Sequence, residues 1–115
     1  MTQARRTLGI SGETAVAAWY EAHGYTLVAQ NWRCREGELD LIVRDGRLFV
    51  FCEVKTRTST AFGAPVEAVT RDKQARIRRL AARWLEDSAP MPPREIRFDV
   101  ASVLAGQIEV LEGAF

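Results

Sequence analysis

Long apolar runs, cysteine, histidine and lysine are all scarce in this 115-residue chain. The longest apolar stretches, Leu48–Cys52 and Ala15–Tyr20, fall far short of the roughly 18–20 residues that a membrane-spanning helix needs. Residues 1–10 carry Arg5 and Arg6 without a following apolar stretch, so no secretory signal is expected. The two cysteines, Cys34 and Cys52, form no C-x-x-C pair, and His23 is the single histidine. That argues against a zinc site, a disulfide framework and any acid–base mechanism needing two imidazoles, and it makes a reducing cytoplasm the expected location. With 47% hydrophobic and 27% charged residues, the composition is that of an ordinary soluble domain rather than a disordered, collagenous or coiled-coil chain. One domain over residues 1–115 is expected, with 1–8 as an N-terminal arm. A chain of this size buries a usable core without metal or disulfide staples.

Charge is informative by region. Sixteen basic against fifteen acidic residues leave only +1 overall. Residues 71–83, however, hold Arg71, Lys73, Arg76, Arg78, Arg79 and Arg83 against Asp72 alone. Arg76, Arg79 and Arg83 fall on one helical row. A solvated face and a phosphate-contacting face both fit that row; for the latter, Arg71, Lys73, Arg76, Arg79 and Arg83 are the candidates.

Ser11 reads as an N-cap with Glu13 in the first turn of a helix reaching His23, and Gly24 as its C-cap. Strands are predicted over 26–33, 38–44 and 47–55. Thr70 caps a second helix to about Asp87, whose Ile77, Leu80, Ala81, Trp84 and Leu85 form an apolar stripe. Strands over 96–104 and 107–111 follow, turning at Ala105-Gly106. The order α-β-β-β-α-β-β implies an α/β domain with a mixed sheet, the second helix crossing over to a parallel neighbour.

Asp45-Gly46 is the strongest hairpin signal, taken as the two central residues of a turn with positive φ at both. That register sets Arg44 opposite Arg47, Asp40 opposite Phe51 and Glu38 opposite Glu53. With a side-chain period of two, Glu38, Asp40, Ile42, Phe49, Phe51, Glu53 and Lys55 would share one face. Asp40 and Glu53 would then be diagonal neighbours, about 7–8 Å apart. Carboxylates clustered on a half-buried face repel one another. A divalent cation would relieve that, and oxygen-only ligands suit Mg²⁺ or Mn²⁺.

The strings Gly37-Glu38-Leu39-Asp40 and Glu53-Val54-Lys55 resemble the D…(D/E)-x-K signature of PD-(D/E)xK nucleases. With Gly12-Glu13, Phe51-Cys52-Glu53-Val54-Lys55-Thr56-Arg57, Phe62-Gly63 and Arg97-Phe98-Asp99, the chain resembles the small bacterial YraN-like family over roughly residues 9–103. That family resembles the Holliday-junction-resolvase-like branch of the superfamily. The resemblance implies a restriction-endonuclease-like α-β-β-β-α-β core, its mixed sheet flanked by helices, plus a C-terminal strand. It implies metal-assisted hydrolysis of DNA, branched or nicked DNA being the candidate form. Asp40, Glu53 and the Val54 carbonyl would hold the metal, Lys55 would serve the attacking water or the phosphate, and Glu13 would match a helical glutamate of resolvase-like members. Leu39 stands where the superfamily signature has proline. A homodimer is also implied. Two other readings stay open: a non-catalytic nucleic-acid-binding module of this fold, and an interaction protein dimerising through its C-terminal strands. The roles of Glu38 and Gln74 stay open too.

Overall fold

Seven elements follow the expected order: α1 (Gln3–Ala22), β1 (Thr26–Cys34), β2 (Gly37–Asp45), β3 (Leu48–Arg57), α2 (Arg71–Ser88), β4 (Glu95–Leu104) and β5 (Gln107–Leu111). The computed structural model describes residues 3–57 and 69–115, with side chains from Gly12 onward; Phe62-Gly63 lies outside them. The strands form a five-stranded sheet in the order β1-β2-β3-β4-β5. Only β3 and β4 run parallel, because a tight turn cannot join parallel neighbours and α2 carries the chain between them. Among the described residues, no helix is long and apolar enough to cross a membrane.

α1 starts at Gln3 rather than after Ser11. Residues 3–8, Gln-Ala-Arg-Arg-Thr-Leu, are mostly strong helix formers. Nothing in them stops the helix, so Ser11 lies inside it and the expected arm supplies its first turns. The far end behaves as expected. Gly24 takes φ 91, its N–H donates to the Glu21 carbonyl and the Tyr25 N–H to the Tyr20 carbonyl, the paired bonds of a Schellman cap. The second helix is capped as expected, the Thr70 hydroxyl accepting from the Lys73 N–H. Gln74 donates to the Val69 carbonyl at 3.0 Å and so braces the entry to α2.

The two faces of the sheet carry separate cores. α2 presents Ile77, Leu80, Ala81 and Trp84 to Ile42, Phe49, Phe51, Phe98 and Val100. α1 presents Val16, Ala17 and Tyr20 to Leu41, Val43, Val50, Cys52, Ala101 and Val103. Alternation along β2 and β3 follows from the pleat.

The β2–β3 turn differs from expectation. Asp45 pairs with Leu48 and Ile42 with Phe51, so the two-residue loop is Gly46-Arg47. Gly46 has φ 60, whereas Asp45 is not among the positive-φ residues. Glycine at the first central position is the sequence demand of a II′ turn, which matches strand twist as well as I′ does. The double positive-φ turn instead joins β4 to β5, at Ala105 (φ 52) and Gly106 (φ 78). The shift moves every β2–β3 pairing by two residues. Because the side-chain period is also two, it leaves the faces unchanged.

At the α1 face a buried ion pair ties distant segments together. Asp99 on β4 is fully buried. Its carboxylate accepts from Arg97 Nε at 2.8 Å and from the same guanidinium's terminal nitrogen at 2.9 Å. It also accepts from the Tyr20 hydroxyl at 2.6 Å and the Gly113 N–H at 3.0 Å. Four donors on α1, β4 and the C-terminal segment thus satisfy one carboxylate. Breaking such a pair from one side strands a buried charge. Arg97→Met should therefore cost about 3–5 kcal/mol in urea denaturation. Glu112→Gln, on the exposed side of the same guanidinium, should cost under about 1 kcal/mol. Equal losses would show that burial of Asp99 does not set the energetics.

Candidate functional site

Besides a register shift between Leu27 and Ala29, the β1–β2 ladder is interrupted once more, and the acidic residues gather there. Gln30 pairs with Leu41 and Trp32 with Leu39, but Asn31 and Asp40 are skipped. Asn31 takes φ 56 in the middle of a strand. The last β2–β3 pair is Leu41 with Cys52, and the next step of that register would set Asp40 opposite Glu53. In place of a ladder bond, the Asp40 carboxylate accepts the Val54 N–H at 2.9 Å. A strand residue's N–H and C=O project to the same edge, so the Val54 carbonyl opens on the Asp40 side.

The skipped pair also corrects the expected face. Leu39 joins the α2 core while Leu41 joins the α1 core, so strict alternation fails across Asp40. A Cβ on Gly37 would meet Leu80 of α2 at 3.3 Å. Glu38, between two residues turned toward α2, therefore does not share Ile42's face. It forms a cross-strand ion pair with Arg33 at 3.0 Å. Even so, its charge acts on Asp40 and Glu13.

Glu13 reaches this group because α1 passes unusually close to β3. A Cβ on Gly12 would collide with Thr56 Oγ1 and lie 3.3 Å from Thr56 Cβ. Glycine is what permits the approach that brings the next residue over the end of the hairpin. Among the described residues, Thr56 Oγ1 and Glu13 Oε2 are both buried without a hydrogen-bond partner.

Crowding of carboxyls shows in their protonation. Burial, opposed by the polar Asn31 side chain and reinforced by Glu38 and Glu53, raises Glu13 to about 7. Asp40 is also held well above the usual carboxylate range, first by burial and then by Glu53; the Val54 N–H bond opposes this, and Glu13 and Glu38 add to it. On β3 the Lys55 ammonium lies 3.4 Å from Glu53 Oε1. Among the described residues, no three His, Cys, Asp or Glu side chains form a ready ligand set. What the strand ends offer is two carboxylates, Asp40 and Glu53, and a backbone carbonyl. All are hard oxygen donors, with an orphaned buried carboxylate oxygen nearby. That donor set fits Mg²⁺ or Mn²⁺, which take one or two protein carboxylates and keep water.

The structure separates the basic candidates. Arg71, Arg76 and Arg79 are exposed on α2 and Lys73 is half-buried. Arg83 is committed elsewhere: it bonds Glu36 at 2.5 Å and lies 3.6 Å from Asp87. Trp84 is core, and Trp19 stacks on His23 at 3.9 Å between centroids. Reading the sequence missed Asn31, because strand alternation assumes an unbroken ladder. A mid-strand Asn, the residue most tolerant of left-handed φ after glycine, was the available signal. It also missed the role of Arg97 and Asp99, whose partners lie far away in sequence.

Fold and site together define a small α/β protein of the α-β-β-β-α-β type whose two central strand ends carry a carboxylate–lysine constellation under a helical glutamate. The chain belongs to the family described as Uncharacterised protein family UPF0102, whose profile matches residues 12–103; this is the YraN-like family. It is 52% identical to a UPF0102 protein of Beutenbergia cavernae, covering 96% of this chain and 98% of that one. It is 50% identical to a UPF0102 protein of Frankia alni, covering 98% of both chains, and 50% identical to one of Leifsonia xyli, covering 84% of this chain and 81% of the relative. The profile match begins at Gly12 and takes in every residue of the acidic group.

Two outcomes follow from this geometry. In a helix, Gly→Ala ordinarily gains about 1 kcal/mol. Here Gly12→Ala should lose about 1–3 kcal/mol through overpacking against Thr56, and adding Thr56→Ala should recover much of the loss. A more stable single variant would refute the close approach. The raised carboxyls fix a pH dependence. Between the unfolded carboxylate range and their folded values, the native state holds protons that the unfolded chain has lost. Their contribution is therefore fully present below about pH 4 and is lost as pH rises through 7 and beyond. Thermal melts in chelator should give a Tm that falls from pH 5 to pH 9, with a shallower fall in Asp40→Asn. Equal slopes would refute the assignment.

Proposed function

We propose that this protein is a metal-dependent endonuclease acting in the cytoplasm, hydrolysing phosphodiester bonds in DNA, with branched or nicked DNA as its substrate form. One observation carries the reading. Where the pairing between β2 and β3 stops, Asp40 and Glu53 sit on adjoining strands, with Lys55 two residues further on and Glu13 adding its charge from α1. Structural ion-pair sets neutralise themselves. This one gathers four carboxyls, Glu13, Glu38, Asp40 and Glu53, and leaves a buried oxygen of Glu13 unsatisfied among the described residues.

Asp40, Glu53 and the Val54 carbonyl would hold Mg²⁺ or Mn²⁺. When bound, the ion supplies a lowered water pKa and charge neutralisation at phosphorus. Lys55 reaches Glu53 in the present arrangement. A phosphate brought to the site would offer its ammonium a stronger acceptor, turning it toward the charge that grows in the transition state. Glu13, half protonated near neutral pH, can hold or pass a proton at the carboxyl oxygen left free. Arg71, Lys73, Arg76 and Arg79 would meet backbone phosphates, since charge on an exposed helix face suits nucleic acid without base preference. Arg83 contributes less, its guanidinium being shared by two carboxylates. A homodimer joined through β5 is a second reading, favoured by the open outer edge of that strand and by the exposed Leu111. Native mass decides it.

The test separates ligation from chemistry. Mg²⁺ or Mn²⁺ should raise the Tm of the wild type, because only the folded hairpin assembles the site. Asp40→Asn should abolish both this shift and cleavage of a panel of branched, nicked, single-stranded and linear DNA. Lys55 has no lone pair to give while protonated. Lys55→Ala should keep the metal-induced shift yet cleave at least ~10²-fold more slowly. Cleavage by Lys55→Ala at the wild-type rate would leave Lys55 as a charge partner only and sink the reading. A wild type that binds DNA but never cleaves it would favour the non-catalytic module.

A further inference from the structure

The two flanks of α2 differ. Arg76, Arg79 and Arg83 form one row, and Arg83 bonds Glu36 beside the β1–β2 turn. Arg78, Ala82 and Leu85, spaced i, i+4 and i+7, form another. Arg78 leans over β4 and the C-terminal segment, its guanidinium carbon 4.8 Å from the centroid of the Phe98 ring and 5.5 Å from that of Phe115. Between this flank and the two rings lies a cavity of about 520 Å³, walled by Ala82 and Leu85 of α2, Ile96 and Phe98 of β4, and Phe115. The wall is built rather than incidental. Phe98 and Phe115 stack with centroids 5.2 Å apart, and the Ala114 N–H donates to the Phe98 carbonyl. Ile96 is 42% exposed, so part of this apolar wall stays open to solvent.

The two arginines at the cavity are not equivalent. Arg97 also lines it, but its donors are engaged by Asp99, Tyr25 and Glu112. Arg78 has neither an ion pair nor a hydrogen bond among the described residues; its contacts are the two rings. Aromatic rings attract a guanidinium and restrict where it goes, yet they leave its five N–H donors for an acceptor. We propose that this cavity is a binding site for a small carboxylate carried on an aromatic or branched apolar body, held at its acid end by Arg78. Charge selects the acid, because a planar carboxylate accepts two parallel N–H bonds from a guanidinium. Size selects a small molecule. The volume lies within the roughly 300–1,000 Å³ of small-ligand pockets, whereas a docked helix, about 10–12 Å across, needs a far longer trough. None of the lining residues belongs to the acidic group, so the site stands apart from the endonuclease reading.

Titration of the intact protein with 4-phenylbutyrate, followed by NMR in chelator, tests this without metal or turnover. The acid should move the methyl resonances of Ala82 and Ile96 and bind at least ~10-fold more tightly than its uncharged amide, 4-phenylbutanamide, the scale of one hydrogen bond to a charged group. Arg78→Met keeps an apolar stem and a good helix former. It should weaken the acid at least ~10-fold and leave the amide within ~2-fold. Ala82→Leu, which narrows the cavity, should weaken both compounds. Thermal melts show whether each variant folds, and the wild type's preference for acid over amide decides the matter even if neither does. Equal affinity for acid and amide would overturn the proposal. So would shifts confined to the flank of Arg76 and Arg79, which would mean that the acid pairs only with surface arginines. Unmoved Ala82 and Ile96 methyls up to the solubility of the acid would overturn it as well.

Discussion

A carboxylate standing in for a backbone carbonyl governs the centre of this molecule. The β2–β3 ladder ends at Leu41 and Cys52, and the Val54 N–H that would otherwise be left without a ladder partner on that side is taken by Asp40. A hydrogen bond to a charged group contributes about 1.5–3 kcal/mol. Burying the charge costs several kcal/mol, and Glu53, Glu13 and Glu38 add repulsion. The bond loses that contest, so Asp40 keeps its proton well above the ordinary carboxylate range. The sheet could have closed here with a plain residue. It stays open, and the Val54 N–H is left to the Asp40 carboxylate.

The rest of the fold holds that opening in place. Gly37 lets β2 lie against Leu80 of α2, and Gly12 lets α1 lie against Thr56 of β3. The two helices thus grip the strand ends from opposite faces where the ladder no longer does. The cores behind them are continuous, with Phe49, Phe51 and Trp84 on one side and Val16, Tyr20 and Cys52 on the other. Close packing on both faces turns a locally unfavourable cluster into a fixed arrangement, because side chains in a dense interior cannot drift apart to relieve charge.

Most of the architecture was legible because it rests on local rules. The stripe Ile77–Trp84, the Thr70 and Gly24 caps and the Ala105-Gly106 turn are each decided by neighbouring residues. The start of α1 was misplaced because a good capping residue, Ser11, follows helix formers that need no cap at that point. The β2–β3 turn was misplaced by one residue, since Asp-Gly suits a I′ turn and glycine-first suits II′ equally well. The error was harmless to the site, because a two-residue shift in pairing preserves the faces. What could not be read was the skipped pair at Asn31 and Asp40. It interrupts alternation in mid-strand, and no periodicity within either strand encodes it.

α1 connects a fully satisfied buried carboxylate to one with an unpartnered oxygen. Tyr20 donates to Asp99, whose other lone pairs are filled by Arg97 and Gly113. Two helical turns earlier, roughly 10 Å along the axis, Glu13 carries an oxygen with no partner among the described residues. The helix cannot shift toward relief at one end without breaking the bidentate pair's network at the other. Anchoring the C-terminal half of α1 so firmly is what lets its N-terminal half hold a carboxyl in an unfavourable place. This is the division expected where stability is given up at a site and recovered elsewhere. It explains why a chain this short keeps an ion pair on a fully buried carboxylate, Asp99, away from the acidic group. That pair fixes the direction of α1, and the direction of α1 fixes where Glu13 stands.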